Sequence, residues 1–161
     1  MGDEVIEVVV EIPRGSRNKY EFDHQRRVMR LDRRLFTATV YPADYGFLEG
    51  TLAEDGDPLD ALVLLAEPTF PGCHVLARPV GVFWMEDEKG PDAKIIAVSQ
   101  GDPDYEHVHG LDDLPRHLLE EIEHFFNIYK DLEPGKSSST AGFEGLDAAL
   151  REIAEARARA G

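Results

Sequence analysis

The period of the apolar residues changes once along this chain, and that change constrains the fold more than any other feature. Up to Ser99 the apolar residues fall in short runs and alternations. Beyond it, Leu114, Leu118, Ile122, Phe125, Phe126 and Tyr129 recur at helical spacing. Val5 to Ile12 is rich in β-branched residues and is stopped by Pro13 and Gly15. Lys19 to Asp23 alternates polar and aromatic side chains, as a half-buried strand does. Val28 to Leu31 and Leu35 to Tyr41 read as further strands, and Pro42 to Gly46 as a turn. Leu59 to Leu65 is apolar throughout, and its length and its flanking Pro58 and Pro68 favour a buried strand. His74 to Asp87 is long and strand-like, with a bend or bulge implied at Pro79 and Gly81. Ala93 to Ser99 follows it after a hairpin loop at Glu86 to Pro91.

For the first helix, Asp112 and Asp113 suit the positive N-terminal end, and Pro115 suits the first turn. Pro134-Gly135 closes it. Lys136 to Gly142, with three serines in a row, reads as a flexible loop. Leu146, Leu150 and Ile153 mark a last amphipathic helix. Short strands followed by two helices make an α+β chain, mainly β, whose strands close into a small barrel. Neither repeat nor linker interrupts it, so residues 1–161 read as a single domain.

Charge narrows the function. The formal net charge of −15 repels nucleic acid and acidic membranes, so neither is expected as a partner. An anionic substrate would need bound divalent cations to reverse the local sign. Cys73 is the only cysteine, no apolar run approaches membrane-spanning length, and Met1-Gly2-Asp3-Glu4 lacks the features of a secretory signal. These features point to the cytoplasm.

The strongest chemical signal is Asp55-Gly56-Asp57-Pro58-Leu59-Asp60, with three carboxylates in six residues. Two bare carboxylates ~5 Å apart repel by ~3 kcal/mol at an effective dielectric near ~20, so converging them calls for cations. Oxygen ligands of this kind suit Mg²⁺. Asp55-Gly56-Asp57-Pro58 are also all turn formers, so a plain turn is the competing reading. An EF-hand loop starting at Asp55 fails, because Asp60 stands where glycine belongs and Ala66 where glutamate belongs. A second acidic group spans Glu86-Asp87-Glu88, with Asp92 and Lys94 just after it, and as isolated residues these would form a solvated loop. Glu11 and Glu21 lie at or near strand ends, and Lys19 shares a sheet face with Glu21. Tyr41, Tyr45, Tyr129 and Lys130 add donors, and Arg33 can grip an anion bidentately. Acids for metal, with Lys, Arg and Tyr for phosphoryl oxygens, are what metal-assisted phosphoryl transfer to water requires.

In this company the chain resembles the family I soluble inorganic pyrophosphatases, the bacterial and actinobacterial-like members in particular. The matching pieces are Glu11-Ile12-Pro13, Lys19-Tyr20-Glu21, Leu31-Asp32-Arg33, Tyr41 to Gly46 and Asp55 to Asp60. They continue with Arg78 to Gly81, Asp87 to Lys94, and His124-Phe125-Phe126 through Glu133. The resemblance implies a distorted five-stranded barrel of OB type with flanking helices, and hydrolysis of pyrophosphate to two orthophosphates by metal-activated water. It implies that Asp55, Asp60 and Asp92 hold the tightest metals, with Asp60 bridging two ions. Asp87 and Asp92 would hold metals that arrive with the substrate, and Glu11 and Glu21 would act nearer the rim. Lys19, Arg33, Tyr45, Lys94, Tyr129 and Lys130 match the phosphate-holding set. Asp57 matches the usual candidate for orienting or deprotonating the attacking water, a role also given to Asp92.

The implied cofactor is Mg²⁺, several ions, with Mn²⁺ or Zn²⁺ as substitutes and Ca²⁺ as an inhibitor. The implied assembly is a homohexamer, with His124 near a subunit interface. His24 resembles a histidine near the active site of the actinobacterial subgroup. That subgroup's second histidine would fall in the Glu88-Lys89-Gly90 loop, where this chain has Lys89. His117, Glu121 and His124 share a helical face but lack the order of a zinc site, and read as surface or interface residues. The alternatives are another metal-dependent phosphohydrolase and a non-catalytic OB-type binding module. Against the binding module stand the acidic balance and the lack of a basic aromatic stripe.

Overall fold

The computed structural model describes residues 4–161, so the acidic start at Met1 to Asp3 lies outside the described residues. Its strands are β1 (Ile6–Ile12), β2 (Asn18–Asp23), β3 (Val28–Arg34), β4 (Asp44–Leu48), β5 (Asp60–Leu64), β6 (His74–Asp87), β7 (Gly90–Ser99) and β8 (Ser138–Glu144). Helix α1 (Arg116–Ile128) precedes β8, and α2 (Leu146–Ala160) follows it.

Five of these strands close a ring. Their order is β1-β4-β5-β7-β6, and β6 returns to β1 through pairs running from Ile6 with Ala77 to Val9 with His74. The result is the distorted five-stranded OB-type barrel, flanked by two helices. Strand β8 is added outside the ring on β6, and β2–β3 form a separate two-stranded sheet. Only β5 and β7 pair in parallel within the ring. The irregularity expected on β6 is there, as a register shift between Pro79 and Gly81.

The apolar run on β5 follows from burial on both faces. Ala61 and Val63, with Ile95 and Ala97 of β7, join a cluster that includes Ala149, Ile153 and Ala156 of α2. Leu62 and Leu64, with Ile96 and Val98, join a second cluster with Phe125 and Phe126 of α1. Alternate side chains thus serve two cores, and after Asp60 no position on β5 is left for a solvent-facing polar residue.

Local expectation and structure part in five places. Leu35 to Tyr41 is not a strand. Its Leu35 and Tyr41 N–H groups donate to carbonyls of Arg17 and Ser16, which fastens the segment to the β1–β2 connection as irregular chain. Leu35 and Tyr41 are buried, while Phe36 and Val40 remain exposed. Asp44 to Gly46 is not a turn but the start of β4, paired on both sides by β1 and β5. A Cβ on Gly46 would sit 1.9 Å from the carbonyl oxygen of Val9, so only glycine lets β1 and β4 approach this closely. Ser138 to Glu144 is a strand, because fourteen-residue β6 offers a second edge from Val82 to Asp87 and pairing there overrides serine's weak preference. The loop between β6 and β7 shrinks to Glu88-Lys89, since Asp87 already pairs with Gly90. Asp112 and Asp113 lie in a separate 3-10 turn, and α1 begins after Pro115 with no acid in its first turn.

Candidate active site

Strand register builds the centre of the site. Asp60 opens β5 and is the register partner of Lys94 on parallel β7. Asp92 lies two residues before Lys94 and so on the same face, and Tyr45 comes from neighbouring β4. Lys94 is 1 % exposed. Its Nζ donates to the Tyr45 hydroxyl at 2.6 Å, to Asp92 Oδ2 at 2.9 Å and to Asp60 Oδ2 at 3.1 Å. Tyr45 in turn donates to Asp60 Oδ2 at 2.8 Å. The ammonium also lies 4.9 Å from the Tyr45 ring centre and 5.1 Å from that of Phe126. Burial works against the charge on Lys94, yet Asp92, Tyr45 and Asp60 outweigh it and hold its pKa well above the usual value. Burial raises the Asp60 pKa, with Lys94 opposing and Asp92 adding to the rise.

The acidic loop before β5 is a turn and a ligand-bearing surface at once. Asp55 Oδ1 accepts the Asp57 N–H at 3.0 Å, and Gly56 takes φ +91° between them. Thr51 fastens the loop's stem, its Oγ1 accepting from Leu59 N and donating to the Leu48 carbonyl. Asp57 is exposed and Asp55 half-buried, and burial raises the Asp55 pKa.

Glu11 comes from the end of β1. Burial raises its pKa to about 7, against the N–H that Phe22 donates to it and with the charge of Asp60 adding to the rise. The β2–β3 hairpin supplies Lys19, Glu21 and Arg33. Lys19 pairs with Asp32 at 3.4 Å, and burial, then Arg33, lower its pKa. Arg33 is bracketed by Asp32 and by Glu133, the latter at 2.8 Å. The turn after α1 presents Tyr129 and Lys130, both 6 % exposed. Lys130 Nζ reaches Asp87 at 3.4 Å and Glu88 at 3.3 Å across the β6–β7 turn. Glu88 also accepts the Ser137 N–H at 3.2 Å. Against the upward push of burial, its own N–H, that of Ser137 and Lys130 bring its pKa down to about 2.

All of the residues expected from the sequence to hold metal, substrate or proton line one cleft of about 190 Å³. Of these expected residues Glu21 and Asp57 are exposed, and exposed His24 joins them with its ring centre 5.0 Å from those of Phe22 and Phe47. Tyr41, named only as a hydroxyl donor in the sequence, lines the cleft while fully buried. Three further charged liners were unassigned: Glu88, Lys89 and Lys136. The helical trio His117, Glu121 and His124 does not reach the cleft.

Eight carboxylates and six basic side chains line this cleft, so it stays net negative before any cation enters. Among the described residues, no three acidic, histidine or cysteine side chains converge into a ready-made metal cluster. Lys94 accounts for this at the centre, where its ammonium lies between Asp60 and Asp92 and does a cation's electrostatic work. The donor set is entirely carboxylate oxygen apart from peripheral His24, which fits hard divalent cations. Among the described residues, no helix is long and apolar enough to cross a membrane.

Comparison with known proteins agrees with this chemistry. The sequence profile of the family "Inorganic pyrophosphatase" matches residues 8–160. The chain is 60% identical over 137 residues to an inorganic pyrophosphatase of Leifsonia xyli, covering 85% of this chain and 84% of that one. To the inorganic pyrophosphatase of Methanosarcina acetivorans it is 53% identical over 156 residues, covering 97% and 92%. The crystal structure of the Thermus thermophilus inorganic pyrophosphatase superposes with a TM-score of 0.96 at 48% identity, covering 98% of this chain and 91% of that one. The family implies a divalent metal cofactor and pyrophosphate as substrate. Ring, cleft and sequence together lead to one conclusion: the chain belongs to the inorganic pyrophosphatase family, enzymes that hydrolyse pyrophosphate to two orthophosphates.

Proposed function

We propose that this chain hydrolyses pyrophosphate with Mg²⁺ in the cytoplasm, as a homohexamer of single-domain subunits. The observation that carries the reading is the meeting, in one cleft, of carboxylates from β1, β2, β5, β6, β7 and the Asp55 loop with cations from the hairpin, β7 and the turn after α1. Asp55, Asp60 and Asp92 would hold the tightest ions, Asp87 and Asp92 those that come with substrate, and Glu11 and Glu21 would act from the rim. Bound cations supply charge neutralisation at phosphoryl oxygens and a water of lowered pKa. Mn²⁺ or Zn²⁺ would substitute for Mg²⁺, and the longer, looser coordination of Ca²⁺ would make it an inhibitor.

The chain's own groups do the rest. Arg33, Lys19, Lys130 and Lys94 neutralise equatorial and leaving oxygens, while the Tyr45 and Tyr129 hydroxyls fix their orientation. Asp57 orients the attacking water and takes its proton. What favours Asp57 over Asp92 in this role is that Asp57 is exposed and in no ion pair among the described residues, whereas Asp92 already accepts from Lys94. Phosphate release from pyrophosphate and from ATP, each with Mg²⁺ and with Mn²⁺, tests the reading. Pyrophosphate is expected to be the strongly preferred substrate under Mg²⁺. Equal or better turnover of ATP there would point instead to a different phosphohydrolase.

A further inference from the structure

Glu133 does not line the cleft, yet it is buried and paired with a residue that does. Its side chain is 3 % exposed and its carboxylate lies 2.8 Å from Arg33 Nη2. Among the described residues, Arg33 Nε and Nη2 and Glu133 Oε2 are buried without a hydrogen-bond partner, so the ion pair with Glu133 is the contact that holds this edge of the guanidinium. The opposite end, Nη1, pairs with Asp32. Glu133 belongs to the turn that presents Tyr129 and Lys130, and its N–H donates to the Lys130 carbonyl at 2.9 Å. Arg33 belongs to the β2–β3 sheet, which shares no strand pairing with the ring. One buried ion pair therefore joins two parts of the cleft wall that the ladders leave separate.

We propose that Glu133 is a positioning residue: its carboxylate sets the orientation of Arg33 and locks the hairpin against the Tyr129–Lys130 turn, so that these groups meet the two phosphoryl ends of the substrate as a fixed set. The inference rests on the pyrophosphatase reading. A planar guanidinium gripped along one edge keeps its remaining donors at a fixed angle, and a phosphate-binding arginine needs that. Glu133→Gln keeps the size of the side chain but gives up the charge, and Glu133→Asp keeps the charge but draws it back by one methylene.

The test is kcat and KM for magnesium pyrophosphate in the wild type, Glu133→Gln, Glu133→Asp, Arg33→Lys and the two double variants, with melting temperatures alongside. Both single Glu133 variants are expected to lose on the order of tenfold or more in kcat/KM, a misplacement effect. In the Arg33→Lys background the same changes are expected to cost less than about twofold, because the partner through which Glu133 acts has gone. A part that is merely structural would lower the melting temperature and leave the loss the same in both backgrounds. That equal loss, or unchanged kcat/KM in Glu133→Asp, overturns the proposal. If Glu133→Gln does not fold, the Glu133→Asp cycle decides alone. Wild-type protein that fails to hydrolyse pyrophosphate would overturn the functional reading itself, a separate outcome.

Discussion

Lys94 stands between Asp60 and Asp92 as the protein's own counter-ion, and the charge balance of the cleft turns on it. Since the Asp60 pKa is raised in spite of Lys94, its charged form is on balance disfavoured by the fold. Asp60→Asn should therefore leave the metal-free protein as stable as the parent or more so. Activity should fall by about 10²–10³-fold, as when a transition-state charge partner is removed. Mg²⁺ should raise the melting temperature of the parent more than that of the variant, because an ion stabilises only the state that binds it. Melting curves with and without Mg²⁺ check this, and a variant that melts lower without metal but responds fully to it would mean a purely structural aspartate. Glu11 gives a pH signature of the same kind. Its pKa rises from 4.5 to about 7 on folding, so the native state holds a proton that the unfolded chain has released. The metal-free protein accordingly loses stability as pH climbs through that interval. Glu11→Gln should flatten this part of the curve, as read from urea midpoints at several pH values between the two limits.

At the scale of the element, close approach and edge pairing decide more than side-chain preference. Gly46→Ala would drive a methyl group into the Val9 carbonyl in a wall of the ring. The expected cost is about 3 kcal/mol or more, seen as a large fall in the urea midpoint. The strands the sequence announces are those whose pattern is local: Val5 to Ile12, Leu59 to Leu65 and His74 to Asp87 all lie where expected, within a residue at either end. Those it conceals are made by partners. Ser138 to Glu144 is polar and glycine-bearing, and becomes a strand only because β6 runs on past its first neighbours. Asp44 to Leu48 carries turn residues at its start, and is a strand because β1 and β5 enclose it. The charged cluster was legible because the Asp55 to Asp60 spacing is both dense and distinctive. Glu88 and Lys136 were not, for one belonged to an apparently solvated loop and the other to an apparently flexible one. Their meeting place depends on β8 folding back to bring Ser137 to the Glu88 carboxylate.

For the whole molecule, assembly is the open quantity that the surface speaks to. Leu31, Phe70, Leu76 and Leu132 are each more than half exposed on a chain of net charge −15. Apolar exposure of this kind fits burial between subunits. Light scattering at micromolar concentration is expected to give six chains per particle, and a monomer there would refute the hexamer. The subunit itself has a further property. A closed ring has no first strand, and here the two ends of the described chain lie together, with Arg157 paired to Glu4 at 2.7 Å. No cleft residue falls between Lys94 and Tyr129, so the exposed bond between Glu106 and His107 is a place where the chain could begin instead. A circular permutant opened there, with Glu4 and Gly161 joined by a short flexible link, would keep every strand neighbour and every charge around the cleft. The order in which the polypeptide visits the ring is, in that sense, free, and the order of strands around it is what the chemistry depends on.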